Sequence, residues 1–174
     1  MNLALGTASG AGVGTDTLIS IERVFGSDYA DILIGDGNNN QLHGGFGNDT
    51  LTGGAGSDFF WPSSQSDDTS TDTITDFTAR NYGDQLSIQT FQLTNYNSSN
   101  PFASGHARLT QSGADTLLEI DLDGSTGPGT FQIAAILRNV VKNTLVADNL
   151  GGYDPNGNAT TDTTAPVSYT HLTL

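Results

Sequence analysis

Between residues 26 and 61 a large apolar residue returns at every ninth position, as Leu33, Leu42, Leu51 and Phe60, with Gly, Asp, Asn and Ser crowding the intervals. A period of nine fits neither the two-residue alternation of a long strand nor the 3.6-residue period of a helix. It predicts three-residue strands, each turning one apolar side chain inward, joined by tight six-residue loops. Upstream, Leu18, Ile19, Ile21 and Val24 lie in a segment without helix caps, which predicts one or two strands covering the first coil. Downstream the period stops, and strand-like runs are expected at 73–77, 85–88, 107–110, 116–122, 130–137 and 144–147. Turn chemistry at 81–83, 112–115 and 123–129 separates them, the last reading as a hairpin turn. Phe59, Phe60 and Trp61 are expected to plug the end of the periodic region.

Cut at that interval, the chain gives four units, 26–34, 35–43, 44–52 and 53–61. Position one is Gly26, Gly35, Gly44 and Gly53, and position six is Asp31, Asn40, Asp49 and Asp58. Units three and four also have Gly at positions two and four (Gly45, Gly47, Gly54, Gly56), where units one and two have Ser27, Tyr29, Asp36 and Asn38. Gly admits positive φ, which turns backbone carbonyls toward one point. Asn38 tolerates that backbone, and Tyr29 is a departure from it. A carboxylate at position six adds charge at the same point, while position eight, one strand step beyond, faces the core. Such oxygen-rich loops suit a hard cation.

The units follow G-G-x-G-x-D-x-U-x, with U a large apolar residue, and so resemble the RTX family, calcium-binding proteins exported by bacterial type I systems. Asp16-Thr17-Leu18 with Ile21-Glu22 is similar to the segment that often precedes RTX repeats, and Asp72 to Phe77 reads D-T-I-x-D-F, as after the last repeats of type I secretion substrates. Residues 100–124 and 149–157 carry the rest of that likeness. The resemblance implies an all-β fold: a calcium-binding parallel β-roll with two units per coil, followed by a β-rich, sandwich-like cap. It divides the chain into an N-terminal strand cap (1–24), the roll (25–69), a C-terminal secretion and capping region (70–157) and a tail (158–174). The Thr-rich tail is expected to be disordered or a cloning artefact, outside the fold.

By the same resemblance each ion sits between loops stacked one coil apart. Site one would use Ser27, Tyr29 and Asp31 of the earlier loop with Gly44, Phe46 and Asp49 of the later one. Site two would use Asp36, Asn38, Asn40, Gly53, Ala55 and Asp58, with neutral Asn40 lowering its affinity. Gly45, Gly47, Gly54 and Gly56 complete the loops that could hold further ions if the residues two units on, Asp67 and Asp76, supply partners, with Asp68 and Asp72 as alternatives. The expectation is Ca²⁺, two ions and up to four, in sites of unequal affinity.

Composition agrees with this and narrows it. Of 19 acidic residues 17 are Asp, against 5 basic ones, for a net charge of −14. A solvated acidic helix would favour Glu, whereas Asp suits turns and cation ligation. The charge argues against nucleic acid and predicts self-repulsion that cations would relieve. With no Cys, a metal is the natural staple for an exported domain. No apolar run reaches the roughly 20 residues of a membrane helix, and residues 1–14 lack the basic start of a secretory signal peptide. His43, His106 and His171 are isolated, no H-E-x-x-H or G-x-S-x-G occurs, and residues 121–132 match an EF-hand poorly. The chain is therefore expected to be non-catalytic and to take no small-molecule substrate. Its expected partner is a type I secretion apparatus, and its location extracellular or at the cell surface. The parent protein could be a secreted metalloprotease or lipase, a calcium-dependent adhesin, or this chain alone.

Overall fold

In the computed structural model, described here for residues 1–10, 14–62, 70–88, 93–94, 96, 100–124 and 129–158, the chain is almost wholly β. Its strands are β1 (Thr7–Gly10), β2 (Gly14–Thr17), β3 (Arg23–Phe25), β4 (Ile32–Ile34), β5 (Gln41–His43), β6 (Thr50–Thr52), β7 (Phe59–Trp61), β8 (Asp72–Ile74), β9 (Gln85–Leu86), β10 (Ala107–Ser112), β11 (Asp115–Ile120) and β12 (Gln132–Leu137). Two short 3₁₀ turns, Lys142–Thr144 and Ala147–Leu150, follow.

The nine-residue period becomes an alternation between two parallel sheets. Odd strands stack as β3-β5-β7-β9 and even strands as β4-β6-β8, the latter continuing into β12, β11 and β10. Arg23 pairs with Gln41 and Gln41 with Phe59, while Ile32 pairs with Thr50. Each coil therefore spans two units, the same 18-residue separation that relates the bonded pair Asp31 and Asp49. The position-eight side chains Leu33, Leu42, Leu51 and Phe60 are all buried between the sheets. Ile74 and Leu86 extend the same core, and Phe77 packs on Phe60.

Parallel pairing runs on past residue 69. β8 pairs with β6 and β9 with β7, but Thr50 meets Thr73 and Phe59 meets Gln85. The bonded residues at the starts of these strands show the same stretch: Asp49 and Asp72 stand 23 apart in sequence, and Asp58 and Asp84 stand 26 apart. The last coil is thus longer than a repeat. The C-terminal strands do not stand apart from the roll: β12 pairs in parallel with β8, and β10-β11-β12 form an antiparallel extension of that sheet. At the other end Met1 to Leu3 bonds to Ile32 and Ile34 along the outer edge of β4.

Three expectations are corrected. Residues 144–147 are not a strand; the segment falls between and within the two 3₁₀ turns, the second closed by Gly151 at φ 65°. Phe59 and Trp61 do not plug an end, because β9 continues beyond them; only Phe60 enters the core. Trp61 instead joins Phe25 and His43 in a row on the outer face of the odd-strand sheet, with Arg23 over both outer rings. Upstream of the roll, β2 and β3 are strands, but Leu18, Ile19 and Ile21 lie between them. Most of the expected turn at 123–129 lies outside the described residues, as does the 158–174 tail apart from Asn158.

Candidate calcium sites

The loops form two stacks, one at each edge of the roll. The first edge holds loops 26–31 and 44–49, and the second holds loops 35–40 and 53–58, as the strand register requires. Position six builds a backbone-to-carboxylate chain down each edge. On the first, Asp31 N–H donates to Asp49 Oδ1 (2.8 Å) and Asp49 N–H to Asp72 Oδ1 (2.9 Å). On the second, Asn40 N–H donates to Asp58 Oδ1 (2.8 Å) and Asp58 N–H to Asp84 Oδ1 (2.9 Å).

The expected ligands are brought together across each pair of loops. A Cβ built on Gly26 would lie 1.9 Å from the Gly44 carbonyl oxygen and 2.9 Å from Asp31 Oδ2. One built on Gly35 would lie 2.1 Å from the Gly53 carbonyl oxygen and 2.3 Å from Asn40 Oδ1. Those oxygens fill the space that only Gly leaves open. The Ser27 and Asp36 carbonyls each accept one hydrogen bond from the later loop, from Phe46 and Ala55 N–H at 3.0 Å, and keep a second lone pair. Gly47 and Gly56 pack against the backbone of Tyr29 and Asn38.

Position two decides what happens to the second oxygen at position six. Gly45, Gly47, Gly54 and Gly56 all take positive φ, between 97° and 116°. Tyr29 and Asn38 do not, so units one and two follow a different path. There the position-two N–H turns inward: Ser27 N–H bonds Asp31 Oδ2 (2.7 Å) and Asp36 N–H bonds Asn40 Oδ1 (2.7 Å). In unit four, Gly54 N–H turns away to Asp76 Oδ2 (2.9 Å). Asp58 Oδ2 is left buried with no hydrogen-bond donor. Burial pushes its carboxyl up to about 6, with the charges of Asp84, Asp76 and Asp36 adding to the effect. Asp84 is pushed up as well, again mainly by burial.

A buried carboxylate oxygen without a donor, among other acids, requires a proton or a cation. The donor set around it is carbonyl and carboxylate oxygen, which fits Ca²⁺ and not a soft metal. Among the described residues no three His, Cys, Asp or Glu side chains converge as a metal-binding group. Asn40 presents the opposite mismatch: its buried Nδ2 has no acceptor, so site two carries a donor where a second carboxylate would serve better.

Of the partners expected one further coil along, Asp76 is not where the repeat register puts it. Asp67 and its alternative Asp68 lie outside the described residues. The longer last coil brings Asp84, not Asp76, under Asp58, while Asp76 accepts the N–H groups of Gly53 and Gly54, both at 2.9 Å. Under Asp49 stands Asp72, the other named alternative. Sequence reasoning missed Asp84 because its loop has no glycine period. It also passed over position five, where Asn39 Oδ1 accepts Ser57 N–H (2.9 Å) and Asn48 Oδ1 accepts Thr71 N–H (2.7 Å), fastening neighbouring coils.

The family model for the RTX calcium-binding nonapeptide repeat, in four copies, matches residues 22–67. Over these residues the chain is similar to RTX repeats. No curated protein matches the chain. Among solved structures it is similar to the solution structures of the AlgE6R2 and AlgE6R3 subunits of the Azotobacter vinelandii mannuronan C5-epimerase. For AlgE6R2 the identity is 24% over 79% of this chain and 96% of that one, with a TM-score of 0.36. For AlgE6R3 the identity is 21% over 86% and 90%, with a TM-score of 0.35. The RTX match ends before β8, so the last coil and the cap lie beyond it.

Proposed function

We propose that the chain is a calcium-folded module of a bacterial protein exported by a type I secretion system, acting outside the cell. The observation that carries the calcium reading is Asp58: a carboxylate oxygen buried without a donor inside an RTX loop. Site one would be held by Asp31 and Asp49 with the carbonyls of Ser27, Tyr29, Gly44 and Phe46. Site two would be held by Asp58 and Asn40 with those of Asp36, Asn38, Gly53 and Ala55. Bound calcium supplies positive charge to a chain of net charge −14, and its binding free energy becomes folding free energy. Extracellular calcium modules bind at about 10⁻⁴–10⁻³ M, so the chain would stay unfolded in calcium-poor cytoplasm and fold once outside.

Circular dichroism with and without calcium at about 5 mM, above that range, tests the folding switch. A β spectrum that chelator leaves unchanged refutes it. Export is tested separately by deleting residues 72–157 and assaying secretion through a type I apparatus. The deletion also removes β8 and β9, the partners of β6 and β7. Undiminished export would contradict the assignment. A hydrolase or adhesin parent would reveal itself in the reading frame upstream of Met1, as H-E-x-x-H, G-x-S-x-G or repeated β-sandwich modules.

A further inference from the structure

The last loop on the second edge, residues 76–84, has no nonapeptide pattern, yet it supports the calcium loop above it. Asp84 Oδ1 receives Asp58 N–H, and the Tyr82 carbonyl receives Ser57 Oγ–H at 2.6 Å. Within the loop Thr78 N–H donates to Asp84 Oδ2 (2.7 Å), Asp84 N–H to the Thr78 carbonyl and Gly83 N–H to the Arg80 carbonyl (both 3.0 Å), and a second set of bonds reaches it from outside. Asn149, fully buried in the second 3₁₀ turn, donates through Nδ2 to the Arg80 carbonyl (3.0 Å) and the Asp84 carbonyl (2.7 Å). Asn149 Oδ1 accepts Val146 N–H (3.2 Å), so the whole amide is engaged and its orientation is fixed by two carbonyl acceptors. Asp148 adds a second tie, accepting Tyr82 N–H at 2.8 Å. The first edge is braced differently: Thr71, beside Asp72, donates its hydroxyl to the Ile133 carbonyl.

We propose that Asn149 is a positioning residue that sets the calcium affinity of the second edge alone. It holds Arg80 to Asp84 in place, Asp84 holds the Asp58 backbone, and Asp58 presents its unpartnered oxygen to the ion. The C-terminal segment thereby tunes one calcium site from far along the sequence, Asn149 and Asp84 being 65 positions apart. This rests on the calcium reading above. Groups that orient metal ligands from behind change affinity by about 10–100-fold when removed.

The test is a calcium titration of the full chain by calorimetry, with ions counted by native mass spectrometry. Asp49→Asn and Asp58→Asn assign the two classes of site to the first and second edge. Asn149→Ala should weaken the second-edge class by about 10–100-fold and leave the first-edge class within about twofold. Equal weakening of both classes would make Asn149 a general stabiliser and overturn the proposal, as would no change in either. Should Asn149→Ala not fold in calcium, Asp148→Ala is the milder form, since it removes only the tie to Tyr82. A several-fold loss confined to the second edge supports the proposal, and an unchanged second edge overturns it. A wild-type chain that binds no calcium refutes the calcium reading itself, whereas binding that ignores Asn149 and Asp148 refutes only this inference.

Discussion

Neutralising Asp58 should have opposite effects with and without calcium. Asp58 is 1% exposed, uses Oδ1 to accept Asn40 N–H, and offers Oδ2 to no donor. Its carboxyl titrates at about 6 in the folded chain, against about 3.9 in an unfolded one. The folded state therefore holds the proton more tightly. Without calcium, this contribution to stability is complete below the unfolded value and is lost as pH rises through about 6. The gap between the two values corresponds to at most about 3 kcal/mol. Asp84, also raised by burial, acts in the same direction. In calcium-stripped buffer the β signal in circular dichroism should thus grow as pH falls from about 7 to about 5, acid standing in for the ion. Asp58→Asn should give much of that gain at neutral pH and flatten the pH dependence. In saturating calcium the order reverses, because the amide removes a charged ligand, and the variant should melt below wild type. Should Asp58→Asn be the less stable chain in chelator at neutral pH, the unpartnered oxygen is not a source of strain and the reasoning fails.

Two further perturbations separate core from loop. Leu42→Ala, at a fully buried rung of the central ladder, should cost about 2–5 kcal/mol in saturating calcium, read from chemical denaturation. Gly54→Ala should raise the calcium midpoint of folding by about tenfold or more, because its φ is +97° and a Cβ would lie 2.0 Å from the Asp36 carbonyl oxygen. Gly37→Ala, where a Cβ meets nothing within 4 Å, is the control and should leave the midpoint nearly unchanged. Asp49→Ala removes the acceptor of Asp31 N–H as well as a ligand, so it should abolish the first-edge sites in native mass spectra while the second edge still fills.

The roll was legible because one repeat length fixes everything within it. Once Leu33, Leu42, Leu51 and Phe60 share a period of nine, the resemblance to RTX repeats implies a parallel β-roll with two units per coil, and both are found. The last coil escaped because its length is set by tertiary bonds. Extending the repeat register by one coil from Asp58 lands on Asp76, but the chain takes a longer path back, and Asp84 arrives instead. Residues 144–147, apolar enough to suggest a strand, instead link two 3₁₀ turns, the second of which carries Asn149 beneath the roll to Arg80 and Asp84. Such a pairing across the sequence has no local signature.

Glycine and aspartate in the repeat carry separate information. The position-six chain of N–H to carboxylate bonds runs down both edges through worn and intact units alike, and on to Asp72 and Asp84 where no repeat exists. Every acceptor in it is an Asp carboxylate, so Asp marks the stack. Glycine at position two does something different. With Ser27 or Asp36 there, the inward N–H satisfies a side-chain oxygen at position six and closes the loop on itself. With Gly54, positive φ sends that N–H to Asp76 and leaves Asp58 Oδ2 facing the interior without a donor. Gly therefore marks the space for the ion. Units one and two resemble coils that need less from calcium, and their loops are already internally bonded. Unit four is left with a buried anion that only a proton or a cation can satisfy, next to the loop that Asn149 holds.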